Sequence, residues 1–180
     1  GLRAGGGGPK QYRMLAGETG IARALAPFCQ HREIIAVQPV IHPDDGDMFV
    51  QATGHLPLRP AVAGGATRQD SVRAGLEALV ADKPDVVLIH DAARAFVTPE
   101  VISRAITAAQ ATGAAIPVVP VTDTIKLTDA AGMVEATPDR ARLRIAQTPQ
   151  AFRFDAILDA HRRAAQDGRD DFTDDAALAE

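Results

Sequence analysis

The sequence predicts an α/β fold with a largely parallel sheet covered by helices. Short apolar runs such as Ile34 to Val40 and Val86 to Ile89 alternate with longer segments of helical spacing such as Gln69 to Ala81. Polar clusters also recur just beyond the carboxyl ends of the predicted strands, at Gly64 to Ser71, His90 to Arg94 and Thr122 to Lys126. Open α/β sheets bind their ligands along that rim.

The elements follow in order. Ile21 to Cys29 reads as a helix with Thr19 as its N-cap. Ile34 to Val40 is a β-branched run and so a buried strand. Asp44 to Thr53 is a weak helix, and Pro60 to Ala63 is a short strand ending at Gly64-Gly65. Val72, Leu76 and Leu79 set one face of the helix over Gln69 to Ala81. Val86 to Ile89 is the clearest strand. Thr98 is a good N-cap for a helix over Pro99 to Ala111. Ala114 to Val121 is a further strand, interrupted by Pro117 and Pro120. Thr124 to Thr137 breaks the alternation and reads as a hairpin turning at Asp129-Ala130-Ala131-Gly132. It has no obvious place in the sheet, so it is an edge flap or an arm toward a partner subunit. Arg142 to Gln147 reads as a strand, Asp155 to Ala165 as a helix, and Thr173 to Glu180 as the start of another.

A chain of 180 residues is about one domain's worth, which predicts a single domain over 1–180. Only 4% of residues are aromatic and none is Trp, so the core must be aliphatic. The formal net charge of −4 argues against a global nucleic-acid footprint. Cys29 is the only cysteine, which excludes an intrachain disulfide and fits a reducing, cytoplasmic setting. No apolar run approaches the ~20 residues that cross a bilayer.

Four constellations carry chemistry. Arg3 and Lys10 flank the run Gly5-Gly6-Gly7-Gly8. Its backbone can approach phosphate oxygens closely, or it is a flexible linker. Pro9-Lys10-Gln11-Tyr12 favours the first reading, since a rigid turn and an aromatic are not linker chemistry. In Gly64-Gly65-Ala66-Thr67-Arg68-Gln69-Asp70-Ser71 a glycine pair permits a tight turn. The helix behind it presents free N–H groups to an anion or a base edge, although Ser71 also reads as an ordinary first-turn residue. In His90-Asp91-Ala92-Ala93-Arg94, Asp91 can meet a metal or a ribose hydroxyl, or simply pair with Arg94 at the surface. His90 has no partner histidine at metal spacing and reads as a packed or capping residue. Arg140, Arg142 and Arg144 alternate, and on an extended segment they share one face that suits a phosphate or only solvent. No nucleophile set and no paired-carboxylate geometry is credible. A rim of Gly, Arg, Lys and Asp suits phosphoryl or nucleotidyl transfer, where positioning and charge neutralisation supply most of the catalysis.

These residues resemble a known family. Gly-x-Arg…Pro-Lys-Gln-Tyr, Gly-Gly-x-x-Arg-x-x-Ser-Val, His-Asp-Ala-Ala-Arg, Pro-Val-x-Asp-Thr-Ile-Lys, Gln-Thr-Pro-Gln-x-Phe and Thr-Asp-Asp-Ala occur in one order over nearly the whole chain. Together they are similar to the 2-C-methyl-D-erythritol 4-phosphate cytidylyltransferases of non-mevalonate isoprenoid biosynthesis. The resemblance implies a Rossmann-like nucleotidyltransferase sheet. The implied reaction passes CMP from CTP to the polyol phosphate and releases pyrophosphate, with Mg2+ as the divalent cation. By the same resemblance Arg3 and Lys10 are the catalytic pair. Gly65, Ser71 and Ala92 lie around cytosine and ribose, and Asp91 is the protein group nearest the metal. Arg94, Thr124 and Arg140 contact the acceptor phosphate. The hairpin arm at 124–137 is expected to cross to a second subunit in a homodimer and serve its site.

Departures from the family pattern set further expectations. The family begins with a strand and an Ala-Ala-Gly segment and ends with a strand and a lysine. Both ends are expected to lie outside this chain, which starts at Gly1 and stops at Glu180. Ala66 stands where some relatives carry Asp, and Leu2 replaces a frequent basic residue. Some members are fused to the cyclodiphosphate synthase of the same pathway, and an end at Glu180 is compatible with that. Two other readings share the motifs: a ribitol- or sugar-phosphate cytidylyltransferase, and a non-catalytic CTP-binding module.

Overall fold

Two of the buried apolar clusters lie against one three-stranded sheet. The structure, a computed structural model, describes residues 9–180. In chain order the strands are β1 Met14–Leu15, β2 Glu18–Thr19, β3 Val40–Ile41, β4 Val62–Ala63, β5 Val86–Ile89, β6 Ala114–Ala115, β7 Val118–Pro120, β8 Leu127–Thr128, β9 Val134–Ala136, β10 Arg144–Ala146 and β11 Gln150–Arg153. The α-helices are α1 Gly20–Cys29, α2 Gly46–Thr53, α3 Arg68–Ala78, α4 Pro99–Thr112, α5 Phe154–Gln166 and α6 Asp175–Ala179.

β11 lies between β5 and β6. Alternation along the strands sends neighbours to opposite faces. Val87 and Phe152 pack with Leu76, Ile157 and Leu158 of α3 and α5 on one side. Leu88 and Ala151 meet Ala105 and Ala109 of α4 on the other. Phe28 of α1 joins Ile102 and Ile106 of α4 beside them. The core is aliphatic apart from a few phenylalanines, as the composition requires.

The expectation of a largely parallel sheet fails. β11 runs antiparallel to both β5 and β6, and β7 pairs antiparallel with β10. Among the described residues only β3 and β4 pair in parallel. The sequence reading missed β11 because its four residues run straight into α5, leaving no turn signal between strand and helix. It also missed the hairpin of β1 and β2, which turns through Ala16 and Gly17 at positive φ. Pro117 does divide the 114–121 run, and its two halves enter different sheets.

The strand expected over Ile34 to Val40 is extended but paired only at its end. The carbonyls of Val37, Pro39 and Ile41 accept from Arg59, Val62 and Gly64. The groups of Ala36, Gln38 and Val40 therefore face the other way. On β5, Phe154 N–H donates to Asp85, so Asp85, Val87 and Ile89 face β11 and the groups of Val86 and Leu88 point away from it. Between these two edges lies a cleft of about 720 Å³, lined by apolar side chains of α1, α3 and both extended segments. Helix α3 approaches β3 closely because residue 75 is glycine. A Cβ there would sit 2.8 Å from Val40 Cγ2.

The helix starts follow the sequence with one exception. Thr19 accepts from Ala22 N–H at 3.3 Å and caps α1. Thr98 sits at the N-cap of α4 but makes no such bond, because its hydroxyl meets the Glu100 carboxylate instead. Arg140, Arg142 and Arg144 do not share an extended face. Asp139 accepts from Ala141 N–H at 3.0 Å and winds Arg140–Arg142 into a 3-10 turn, so only Arg144 lies on a strand.

Candidate active site

The site forms where β4 and β5 end. After β4 the chain turns at Gly64 and Gly65 and enters α3. A Cβ on Gly65 would lie 2.3 Å from Asp70 Cβ, so only glycine fits there. Thr67 and Asp70 form a reciprocal capping box. Ser71 Oγ donates to Thr67 O at 2.9 Å and accepts from Gly65 N–H at 3.1 Å. The hydroxyl thus holds the loop against the helix, and both glycines stay close to its first turn.

After β5, Asp91 and Arg94 close a tight turn through Arg94 N–H to Asp91 O at 2.9 Å, with Ala92 and Ala93 at its tip. Asp91 N–H donates to Thr148 Oγ1 at 3.3 Å, and Thr148 in turn donates to His90 Nδ1 at 2.9 Å. That direction is forced, because His90 Nε2 lies 3.1 Å from the Arg94 carbonyl, which can only accept. His90 also packs against Phe28, with ring centroids 4.9 Å apart and the planes tilted by 48°. Burial pulls its pKa below the ordinary value, despite an opposing pull from the Arg94 carbonyl. It is a packed residue that ties the turn down.

The Asp91 carboxylate stands between two guanidinium groups. Arg94 Nε is 3.5 Å from one oxygen and Arg68 is 3.7 Å from the other. Arg94 also bonds the side chain of Gln147. A smaller cavity of about 240 Å³ opens on the far side of this carboxylate, lined by Arg94, Gln147, Thr148, Thr173 and Asp174 together with Arg68 and Asp91. Arg68 and Asp91 line the large cleft as well, with Ser71, His90 and Ala92 at the same end. The two form a wall between a deep apolar slot and a small polar chamber.

The structure thus gathers Ser71, Asp91, Ala92 and Arg94, with Gly65 held against Ser71. Lys10 is exposed in a 3-10 turn over Lys10–Tyr12, secured by Tyr12 N–H to Pro9 O at 3.1 Å. Burial and the adjacent Asp45 carboxylate push the Tyr12 phenol up to about 12. Arg3 and the glycine run at 5–8 lie outside the described residues. Thr124 and Arg140 line neither cavity. Both are exposed, and Arg140 donates to Thr122 O at 2.6 Å at the base of the arm. Site neighbours that no role was read for are Gln147, Thr148, Gln150, Thr173, Asp174 and Arg68. Their signal was polar residues set inside or beside short apolar runs, which the motifs carried without a role.

Asp91 is the one carboxylate in the wall between the cavities, and the described residues hold no cluster of three or more metal-binding side chains. That donor set does not make a cage. It fits a hard cation that arrives on a polyphosphate and keeps phosphate and water as most of its ligands.

A hairpin lies within 124–137. β8 and β9 pair antiparallel, and Asp129 closes the turn by accepting from Ala131 and Met133 N–H at 2.9 and 2.8 Å. Leu127, Met133 and Val134 lie exposed on it, and Val118, Val119 and Ile145 on the sheet below. Among the described residues no helix is long and apolar enough to cross a membrane.

Comparison with known proteins gives a consistent result. The family model described as 2-C-methyl-D-erythritol 4-phosphate cytidylyltransferase matches residues 1–180. A protein named bifunctional enzyme IspD/IspF from Rhodopseudomonas palustris is 76% identical over all 180 residues, and one of the same name from Nitrobacter hamburgensis is 72% identical. The chain spans 45% of the length of each. A solved 4-diphosphocytidyl-2C-methyl-D-erythritol synthase from Anaerococcus prevotii superposes with a TM-score of 0.83 at 29% identity, covering 92% of this chain and 72% of that one. A 2-C-methyl-D-erythritol 4-phosphate cytidylyltransferase from Thermus thermophilus gives 0.74 at 34% identity, covering 96% and 78%.

Proposed function

This chain belongs to the 2-C-methyl-D-erythritol 4-phosphate cytidylyltransferase family, and from that premise we propose that it transfers CMP from CTP to 2-C-methyl-D-erythritol 4-phosphate. One observation carries the reading. Ser71, Asp91, Ala92 and Arg94 gather with Gly65 at one rim where β4 and β5 end, so that small residues, a carboxylate and cations meet at a single place.

The acceptor is already a phosphate anion, so the reaction needs no general base. One of its oxygens forms a bond to the α-phosphorus of CTP. The bond from that phosphorus to the bridging oxygen breaks opposite, and pyrophosphate leaves with the electron pair. Negative charge grows on the five-coordinate centre. Lys10 and Arg3 are the cations assigned to stabilise that charge more than the ground state. Gly65, Ser71 and Ala92 hold the nucleoside end, where small residues let base and ribose come close. Arg94 faces the acceptor chamber. Asp91 would hold Mg2+ carried by the triphosphate, and the ion would offset phosphate charge.

Thr124 and Arg140 are too far along the arm's base to line their own chain's chamber. We assign them to the site of a second copy in a homodimer. The exposed apolar arm supports this, since Met133 is 67% and Val134 61% exposed. The open slot between Ala36–Val40 and Val86–Leu88 matches the leading strand expected of the family, which would satisfy both backbone edges. The fold is then a Rossmann-like nucleotidyltransferase domain. Its charged substrates and single free thiol suit a cytoplasmic setting.

The test is pyrophosphate release by the full-length protein with CTP and Mg2+, comparing methylerythritol phosphate with ribitol phosphate. Release with the first acceptor alone is expected. Release with ribitol phosphate alone would transfer the reading to a related enzyme, and CTP binding with no release from either would make the chain a binding module.

A further inference from the structure

Arg68 sits at the first position of α3, and its guanidinium has two carboxylate neighbours of opposite kind. The same nitrogen lies 2.7 Å from Asp175 Oδ2 and 3.7 Å from Asp91 Oδ1. Asp91 is at the ligand rim with a side chain 42% exposed, whereas the Asp175 side chain is 1% exposed. The other oxygen of Asp175 meets His161 Nε2 of α5 at 3.1 Å, and its backbone N–H donates to Gln150 Oε1 of β11 at 3.1 Å. Gln150 and His161 are themselves buried. Asp175 is therefore fixed from the inside by the central strand and by α5.

This asymmetry decides what Arg68 can do. A carboxylate buried at this depth is costly without its cation, so Arg68 is committed to Asp175 and is not free to swing out as a clamp. An exposed ion pair such as Arg68–Asp91 would by itself contribute ~1 kcal/mol or less and would not fix a side chain. With one end anchored in the core, the same guanidinium becomes a rigid stop for the Asp91 carboxylate. Arg94, on the other oxygen, is held only at the surface. The two arginines around Asp91 are thus one fixed and one adaptable.

We infer that Arg68 is a positioning residue for cytidylyl transfer: gripped from within by the buried Asp175–His161 pair, it sets the orientation of Asp91 in the wall between the two cavities. This rests on the proposed function only in placing Asp91 against CTP.

The experiment is a double-mutant cycle in the full-length protein, joining Arg68→Lys to Asp91→Asn, with CTP affinity measured by calorimetry in the presence of Mg2+ alongside kcat and KM. Lysine keeps the charge that Asp175 requires but loses the planar fork, so folding survives and geometry suffers. Arg68→Lys is expected to weaken CTP binding and kcat/KM by about tenfold, with no further loss once Asp91 is already Asn. Asp175→Asn should show the same pattern and the same non-additivity. Losses that multiply in the double variants would overturn the inference, as would an Arg68→Lys protein that binds and turns over like the parent. If the parent protein releases no pyrophosphate, the proposed function fails while the affinity cycle still decides this point.

Discussion

The strand at 150–153 and the arm at 124–137 are both antiparallel, yet they are built in opposite ways. Gln150, Ala151 and Phe152 are all buried, Ala151 and Phe152 are paired on both edges, and helices cover the strand. Every residue of β8 and β9 is exposed, and each strand has one partner. An isolated two-stranded hairpin is marginal in water, and Asp129 and the Lys126–Thr137 bond at 2.7 Å are what hold this one. The contrast separates the part of the chain that stabilises itself from the part that offers surface to something else. Candidate ligand contacts divide the same way, with Asp91 and Arg94 on the first and Thr124 and Arg140 on the second.

Substitution at the two extremes should break the comparison most forcefully if it is wrong. Phe152→Ala removes a side chain 2% exposed at the centre of the core and is expected to cost ~3–5 kcal/mol in urea unfolding. Val134→Ala, on an exposed strand of the arm, should leave that curve within about 0.5 kcal/mol. A similar loss at both positions would mean the arm packs on the body. Next in size is Lys10→Ala, expected to lower kcat by ~10²-fold with a smaller change in CTP affinity. Lys10 is exposed and outside both regions, so its urea midpoint should not move. Equal losses in binding and turnover would remove its assigned role. Deleting 124–137 should then turn a dimer into a monomer in light scattering while the far-UV signal of the body persists. A dimer that survives would sink the arm assignment.

How much of this was legible in the sequence also follows the division. Helices with regular apolar spacing, α1, α3, α4 and α5, fall within a few residues of their expected bounds, because burial of one face dictates both the pattern and the structure. The arm was legible from Asp129 to Gly132, because turn chemistry is local. What escaped was non-local. No property of Gln150 to Arg153 announces that it inserts between β5 and β6, and that insertion makes the central sheet antiparallel. The Asp175–Arg68 contact spans 107 residues, so Arg68 looked like one more helix-start residue. The arginines at 140–144 failed for the opposite reason. A single Asp139 cap bent a segment whose alternation had suggested a strand.

The finest test uses two glycines that are matched in everything but region. Gly113 has φ +91° and Gly132 has φ +82°, and a Cβ at either would meet nothing within 4 Å. Alanine at each therefore carries a backbone cost of ~1–2 kcal/mol and no steric one. Gly113 ends α4, where its N–H donates to Ala109 O and its carbonyl accepts from Arg153 N–H, both at 2.8 Å. Its strain is shared with the helix and with β11, so it should appear in full in the global urea curve. Gly132 closes the arm, where N–H donates to Asp129 O at 3.0 Å and nothing of the core is engaged. There the same cost should open the hairpin alone, seen as faster amide exchange at Asp129 and Met133 with an unmoved urea midpoint. Equal midpoint shifts for the two variants would show that the arm unfolds together with the body, and the division drawn between them would have to be abandoned.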